Sequence, residues 1–268
     1  MSDAALDAFA VVAATLLGLV IGSFLNVVVA RVPERRSLVT PPSACPACGT
    51  PIKPYDNVPV LSWLILRGRC RSCGEHISAQ YPLVEAVTGA LFGLIVWRFG
   101  PGWDAAVALT LTSVLVPLAV IDWQIFKLPN PITYFAAAAL LALDFVAAAA
   151  TGQWHRLADA VISAVVLAGF FWAFAALFRL VRNKAAFGMG DVKLCVSIGL
   201  GLGWLGPRYV LVAFYLSLFL GLVFGVVVTR AQREGLQTKI PFGVFLAAGS
   251  VLAIFLTPVL SGWYFRSM

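Results

Sequence analysis

Two aspartates interrupt an otherwise apolar chain: Asp122 in Ile121-Asp122-Trp123, and Asp191 in Gly188-Met189-Gly190-Asp191-Val192-Lys193. Each stands where a long apolar run meets a short polar loop. A carboxylate held near a bilayer is expensive, so it marks a functional site by default. Two carboxylates brought close together cannot both ionise easily and share one proton. The ionised partner can then take a proton from water while the protonated one polarises a carbonyl, which is the chemistry of an aspartyl hydrolase. Gly188 and Gly190 read as loop residues that let a substrate backbone come close, with Lys193 just beyond them. The plainer reading is two helix-end charges at headgroup level with flexible glycines beside one of them. The glycine pattern is not a phosphate loop, because no Gly-Lys-Ser/Thr ends it.

A second constellation is sulfur. Cys45-Pro-Ala-Cys48 and Cys70-Arg-Ser-Cys73 are two C-x2-C knuckles separated by 21 residues, each followed by glycine, Gly49 and Gly74. Four thiolates at this spacing can close a tetrahedral zinc site, and a closed four-sulfur site leaves no position for water, so it is a structural staple. The alternative is a pair of disulfides, which a reducing compartment would disfavour. Cys195 lies alone in an apolar stretch and reads as packing.

The elements that must position these groups are membrane helices. Of 268 residues 61% are hydrophobic and only 12% charged, against roughly 25% charged in soluble domains. Apolar stretches recur at about 20 residues, the length that spans a bilayer. They predict an all-α polytopic membrane protein of about eight spans, near 8–30, 82–99, 105–121, 131–150, 158–178, 194–206, 208–228 and 241–260. The sixth is short and glycine-rich. The first run, Ala8–Ala30, is long enough to remain as a helix rather than be removed as a signal peptide. The organisation expected is a first transmembrane helix at 1–30, a polar, Pro-, Cys- and Arg-rich domain at 31–80 that binds zinc, and a seven-helix membrane domain at 81–268.

Charge sets the orientation. With the N-terminus outside, only Arg98, Arg156, Arg208 and Arg266 of the 19 Lys and Arg residues fall on the outer side. The rest, Lys184, Arg233 and Lys239 among them, fall inside, as the positive-inside rule requires. The net charge of +7 therefore reflects topology and a lipid surface, not nucleic-acid binding. The 31–80 domain is then cytosolic.

This topology sorts the remaining chemistry. Asp122 and Asp191 come to the same, cytosolic side, while Asp144 and Asp159 lie toward the outer side. Glu85, in Tyr81-Pro82-Leu83-Val84-Glu85, opens the second span from inside. It can approach the aspartates or bind a cationic group, or it is simply favoured by the helix dipole. Gly22, Ser23 and Asn26 share one face of the first helix, where small and amide side chains favour close helix contact. The two histidines, His76 and His155, fall on opposite sides, which excludes a histidine-paired metalloprotease. No Gly-x-Ser-x-Gly elbow accompanies either.

Taken together, these stretches resemble the type IV prepilin peptidase family of bacterial inner membranes. The resemblance is carried by Gly22–Pro33, both cysteine knuckles, Tyr81–Glu85, Ile121–Pro129, Gly188–Leu194, Ile240-Pro241-Phe242-Gly243 and Ala247-Ala248-Gly249, in family order along nearly the whole chain. It implies a Gly-x-Gly-Asp aspartyl protease with Asp122 and Asp191 as the catalytic pair. It implies cleavage of the basic leader from type IV prepilins or type II secretion pseudopilins, after a glycine, on the cytosolic side. It also implies N-methylation of the new N-terminal residue with S-adenosylmethionine. Many relatives have Asp where this chain has Asn130, but Asp122 is kept. No glycine-rich strand–turn–helix advertises the methyl donor's site. Two other classes compete. A proton-coupled transporter would want acids near midplane and related halves of the chain. A secretion-system scaffold would leave Gly188–Asp191 without a role.

Overall fold

The computed structural model describes residues 3–182, 188–232 and 241–266. Lys184, Arg233 and Lys239 of the charge pattern, and Ile240 of the motif before Gly243, lie outside the described residues. The chain divides into two compact units, residues 1–105 and 106–268. No strand occurs among the described residues.

The first unit is a helix pair with a small loop-rich domain between its members. Helix α1 (Asp3–Arg31) ends on a basic residue, which suits the negative end of the helix dipole. Its partner, α3 (Gln80–Phe99), follows a short helix α2 (Leu61–Ile65) and stops at Gly100, whose φ of 69° is a conformation glycine adopts without strain. The α1–α3 seam is close because α1 presents glycine to it. A Cβ on Gly22 would lie 2.7 Å from the Cα of Glu85. Asn26, one turn on, donates from Nδ2 to the Tyr81 carbonyl at 3.1 Å. The face carrying Gly22, Ser23 and Asn26 is therefore a helix-packing face.

The second unit is a bundle of α4 (Trp103–Ile125, whose first residues belong to the first unit), α5 (Asn130–Thr151), α6 (Trp154–Arg182), α7 (Met189–Leu205), α8 (Pro207–Gln232) and α9 (Phe242–Arg266). Among the described residues seven helices are long and apolar enough to cross a membrane: α1, α3, α4, α5, α6, α8 and α9. The remaining long helix, α7, has 17 residues, about 25 Å at 1.5 Å per residue. It corresponds to the short sixth span expected at 194–206 but begins five residues earlier. It can be short because its neighbours α5, α6, α8 and α9 sheathe it. Val192, Leu194, Cys195 and every residue from Ser197 to Trp204 are buried. Its glycines are consumed by packing: Gly199 has no room for a Cβ against Ala164, and a Cβ on Gly203 would sit 2.7 Å from the Cα of Ala160.

Candidate active site and metal centre

Asp122 lies in the last turn of α4, which runs to Ile125 rather than ending at residue 121. The helix stops when Phe126, at φ 53°, donates its N–H to the Asp122 carbonyl. Asp122 is 5% exposed, and its Oδ2 is buried without a hydrogen-bond partner. Its carboxyl faces the first turn of α9, where the backbone of Gly243 and Val244 lies within its electrostatic reach. This approach requires a glycine: a Cβ at position 243 would lie 2.9 Å from Oδ2 and 3.2 Å from Cγ.

Asp191 is not in the loop before α7 but in that helix's first turn. Its Oδ2 accepts the Gly188 N–H at 3.2 Å, and its own N–H donates to the Gly188 carbonyl at 3.1 Å. A carboxylate three residues into a helix that reaches back to the cap backbone is half of a capping box, and it suits the positive end of the helix. Gly188, extended at φ −70° and ψ 146°, is the cap itself. Gly190 is also bare for packing. A Cβ there would sit 2.9 Å from the Cβ of Leu128. The same Leu128 presents Cδ1 3.2 Å from the position a Gly243 Cβ would take. Leu128 is thus wedged between the Asp191 turn and the Gly243 turn that holds Asp122. The two carboxyls are close enough to feel each other's charge.

The other expected site residues fall elsewhere. Lys193 donates from Nζ to Asn130 Oδ1 at 2.7 Å and sits 4.9 Å from the centre of the Tyr134 ring. It braces α7 against the start of α5. Glu85 is taken up within the first unit, where Oε2 accepts the Val60 N–H at 2.7 Å and the carboxyl also meets Ser23. Asp144 is fully buried, with neither carboxyl oxygen hydrogen-bonded. Cys195 is buried packing, as expected. Gly243 and Leu128 were part of matched stretches, but no reading of spacing gave them work. Their signal was only Pro241-Phe242-Gly243 opening a helix and Leu128-Pro129 closing a turn.

The cysteines do come together. The Sγ atoms of Cys45, Cys48, Cys70 and Cys73 all lie within 4.8 Å of one another, and Cys45 and Cys73 are 3.8 Å apart. None forms a disulfide. A tetrahedron with Zn–S near 2.3 Å has edges of about 3.8 Å, so the donor set fits zinc. The two knuckles are built alike. Gly49 N–H returns to the Cys45 carbonyl at 2.9 Å and Gly74 N–H to the Cys70 carbonyl at 2.9 Å, with φ of 69° and 75° at the glycines. These left-handed turns are why glycine follows each knuckle. Thr50 beside it brings the Cys48 thiol down to about 6 and the N–H groups of Cys73 and Ser72 lower Cys70, whereas burial and the neighbouring thiols push Cys73 up to about 12, so two of the four sulfurs favour the thiolate before a metal binds.

Comparisons with known proteins agree with this geometry. A family model described as "Type IV leader peptidase family" matches residues 109–226, and one described as "Bacterial Peptidase A24 N-terminal domain" matches 16–99. The first interval contains both aspartates; the second contains the four clustered cysteines and Glu85. A prepilin leader peptidase/N-methyltransferase of Aeromonas salmonicida (strain A449) is 36% identical, covering 94% of this chain and 93% of its own. One of Burkholderia pseudomallei (strain 1026b) is 38% identical over 92% and 84%. One of Neisseria gonorrhoeae is 37% identical over 87% of each. No solved structure matches.

Proposed function

Because the chain belongs to the type IV leader peptidase family, we propose that it is an aspartyl endopeptidase of type IV prepilins or type II secretion pseudopilins. It removes their basic leader after glycine and N-methylates the new N-terminal residue with S-adenosylmethionine. The observation that carries the peptidase is the pair of buried carboxyls on helix ends on either side of Leu128, with the Asp122 charge reaching Asp191. The pair holds one proton between them. The ionised carboxylate takes a proton from water as its oxygen bonds to the scissile carbonyl carbon. The protonated partner gives its proton to the carbonyl oxygen. As the tetrahedral adduct collapses, one of its hydroxyls returns a proton to the ionised carboxylate, the C–N bond breaks, and the departing amine takes the proton of the other carboxyl, which restores the one-proton pair. The close-packed Gly243 turn positions Asp122, and the Gly188 N–H orients Asp191. In this reading Gly188, Gly190 and Lys193 shape the second aspartate's turn, and Glu85 serves the first unit.

Zinc would be held by Cys45, Cys48, Cys70 and Cys73, where it would supply folding energy to the 31–80 domain and no catalytic water. S-adenosylmethionine would supply the methyl group. With no strand among the described residues, no glycine-rich strand–turn–helix is present there to cradle it, and no methyl-transfer step is assigned to named residues. The chain is a multi-pass inner-membrane protein, with the N-terminus periplasmic and the zinc domain and the aspartates at the cytosolic face. The domain scheme is a first helix at 1–30, the zinc domain at 31–80 and the membrane peptidase domain at 81–268. Neither the transporter nor the scaffold reading finds support among the relatives.

The test is cleavage of a purified prepilin by the full-length enzyme. Asp122→Asn and Asp191→Asn should each insert normally and each lose roughly 10³-fold or more in rate, the scale of removing an essential acid or base. Normal cutting by both variants would refute the peptidase.

A further inference from the structure

Helix α2 lies outside the helices long enough to span a membrane, yet three of its five residues point apolar side chains outward. Leu61, Leu64 and Ile65 are 57%, 57% and 74% exposed. The opposite side of α2 is fastened. Ser62 is buried and donates to the Tyr55 carbonyl at 2.9 Å, and Trp63 donates from Nε1 to the Ile77 carbonyl at 3.0 Å. The residue that starts it, Val60, donates its N–H to Glu85 Oε2 at 2.7 Å.

That last bond fixes a depth. Glu85 lies five residues past the first residue of α3, Gln80, about 7–8 Å along a helix that enters the membrane. A short helix tied to that carboxylate is held level with the first turns of a membrane span, not out in bulk water. Leu83, in the same stretch of α3, also faces outward, 63% exposed. Directly after α2 come Arg67 and Arg69, both exposed. Apolar side chains followed at once by free cations, at interface depth, are the pattern of an interfacial anchor.

We propose that α2 is such an anchor: Leu61, Leu64 and Ile65 sit in the acyl–headgroup boundary of the adjoining leaflet, and Arg67 and Arg69 engage its anionic phospholipid phosphates. The charge decides the occupant. A basic peptide segment would be repelled by the two arginines, whereas an anionic headgroup neutralises them. Glu85 thereby acquires a positioning role, since its carboxylate sets the depth at which α2 meets the lipid. This inference rests on the membrane reading alone and does not depend on which bond the enzyme cuts.

The experiment uses the full-length protein in nanodiscs of phosphatidylglycerol with phosphatidylcholine, or of phosphatidylcholine alone. A photoreactive benzophenone amino acid is placed at Leu61 or at Ile65, both exposed enough to accept it. Phe135 on α5, 71% exposed, is the lipid-facing control. Irradiation should give phospholipid adducts at Leu61 and Ile65 as at Phe135. Their yield should be up to about thirtyfold higher in the anionic discs, the effect of about 1 kcal/mol for each of the two surface cations. Arg67→Gln with Arg69→Gln should abolish that difference. Adducts at Phe135 but none at Leu61 and Ile65 would overturn the proposal, as would adducts there only to an added prepilin. Equal yields in the two disc types would overturn the role given to the arginines.

Discussion

At the scale of single residues, the account turns on what surrounds two carboxyls. Asp122 is held by a turn that tolerates no side chain, since a Cβ at position 243 would press within 2.9 Å of Oδ2. Gly243→Ala should therefore push the carboxyl off its position while leaving the helices intact. Misplacing a catalytic group by about 1 Å can cost on the order of 10²-fold. The expected outcome is a fall of that size in kcat for prepilin cleavage with KM little changed, measured by steady-state kinetics. Wild-type kinetics would mean the Gly243 turn does not set the geometry. The aspartates themselves were legible in the sequence because charge is rare in this chain and each breaks an apolar run. Their supports were not. Gly243 is remote in sequence from Asp122, and Leu128 meets Gly190 only through tertiary packing. No spacing rule reaches such pairs. Gly190 carries no sequence mark of its packing either, because a glycine kept bare by Leu128 looks in sequence like one kept bare for a substrate.

At the scale of elements, α7 shows how a buried helix hides its boundaries. Gly188-Met189-Gly190 reads as a loop by composition, yet Met189 and Gly190 are helical because Asp191 caps the turn and Leu128 fills its bare face. The apolar pattern therefore finds a span at 194–206 and misses its polar first turn. The knuckles were easier, since two C-x2-C-Gly turns carry their own geometry. Glu85 was visible as an acid near a helix start, but its tie to Val60 depends on how the loop folds back. On α5, Asp144 is wholly buried with both oxygens lacking hydrogen bonds, although Arg156 lies within electrostatic reach. An unpaired buried acid is a liability that an apolar residue of similar size relieves. Asp144→Leu should raise the midpoint of thermal unfolding by a few degrees, about 2–4 °C for each kcal/mol gained, and leave cleavage unchanged. Lost cleavage in that variant would bring Asp144 into the machinery.

At the scale of the whole molecule, two units are stabilised by different means. Residues 106–268 bury a helix on all sides. The 32–79 segment has almost no core, with only Cys45, Ser62 and Gly68 buried. A segment of that size with so little buried apolar surface needs a staple. Cys45→Ser should abolish a content of about one zinc per chain and expose the segment to protease, while prepilin cleavage falls less than the segment's stability does. Zinc-free wild-type protein, purified without chelator, would contradict the four-thiolate centre. The fold class could be read from composition because apolar runs of spanning length leave few alternatives. The division into two units could not, since it falls within α4, inside one unbroken apolar run. Above all, the proposed peptidase requires two acids distant in the chain to act as one group. Groups that act as a unit are non-additive: once one is lost, removing the other changes little. The direct measurement is single-turnover cleavage of a prepilin by Asp122→Asn, Asp191→Asn and the double variant. The account predicts three rates equally depressed, each roughly 10³-fold or more below the unsubstituted enzyme. Losses that multiply in the double variant, or a single variant that still cuts well, would contradict it.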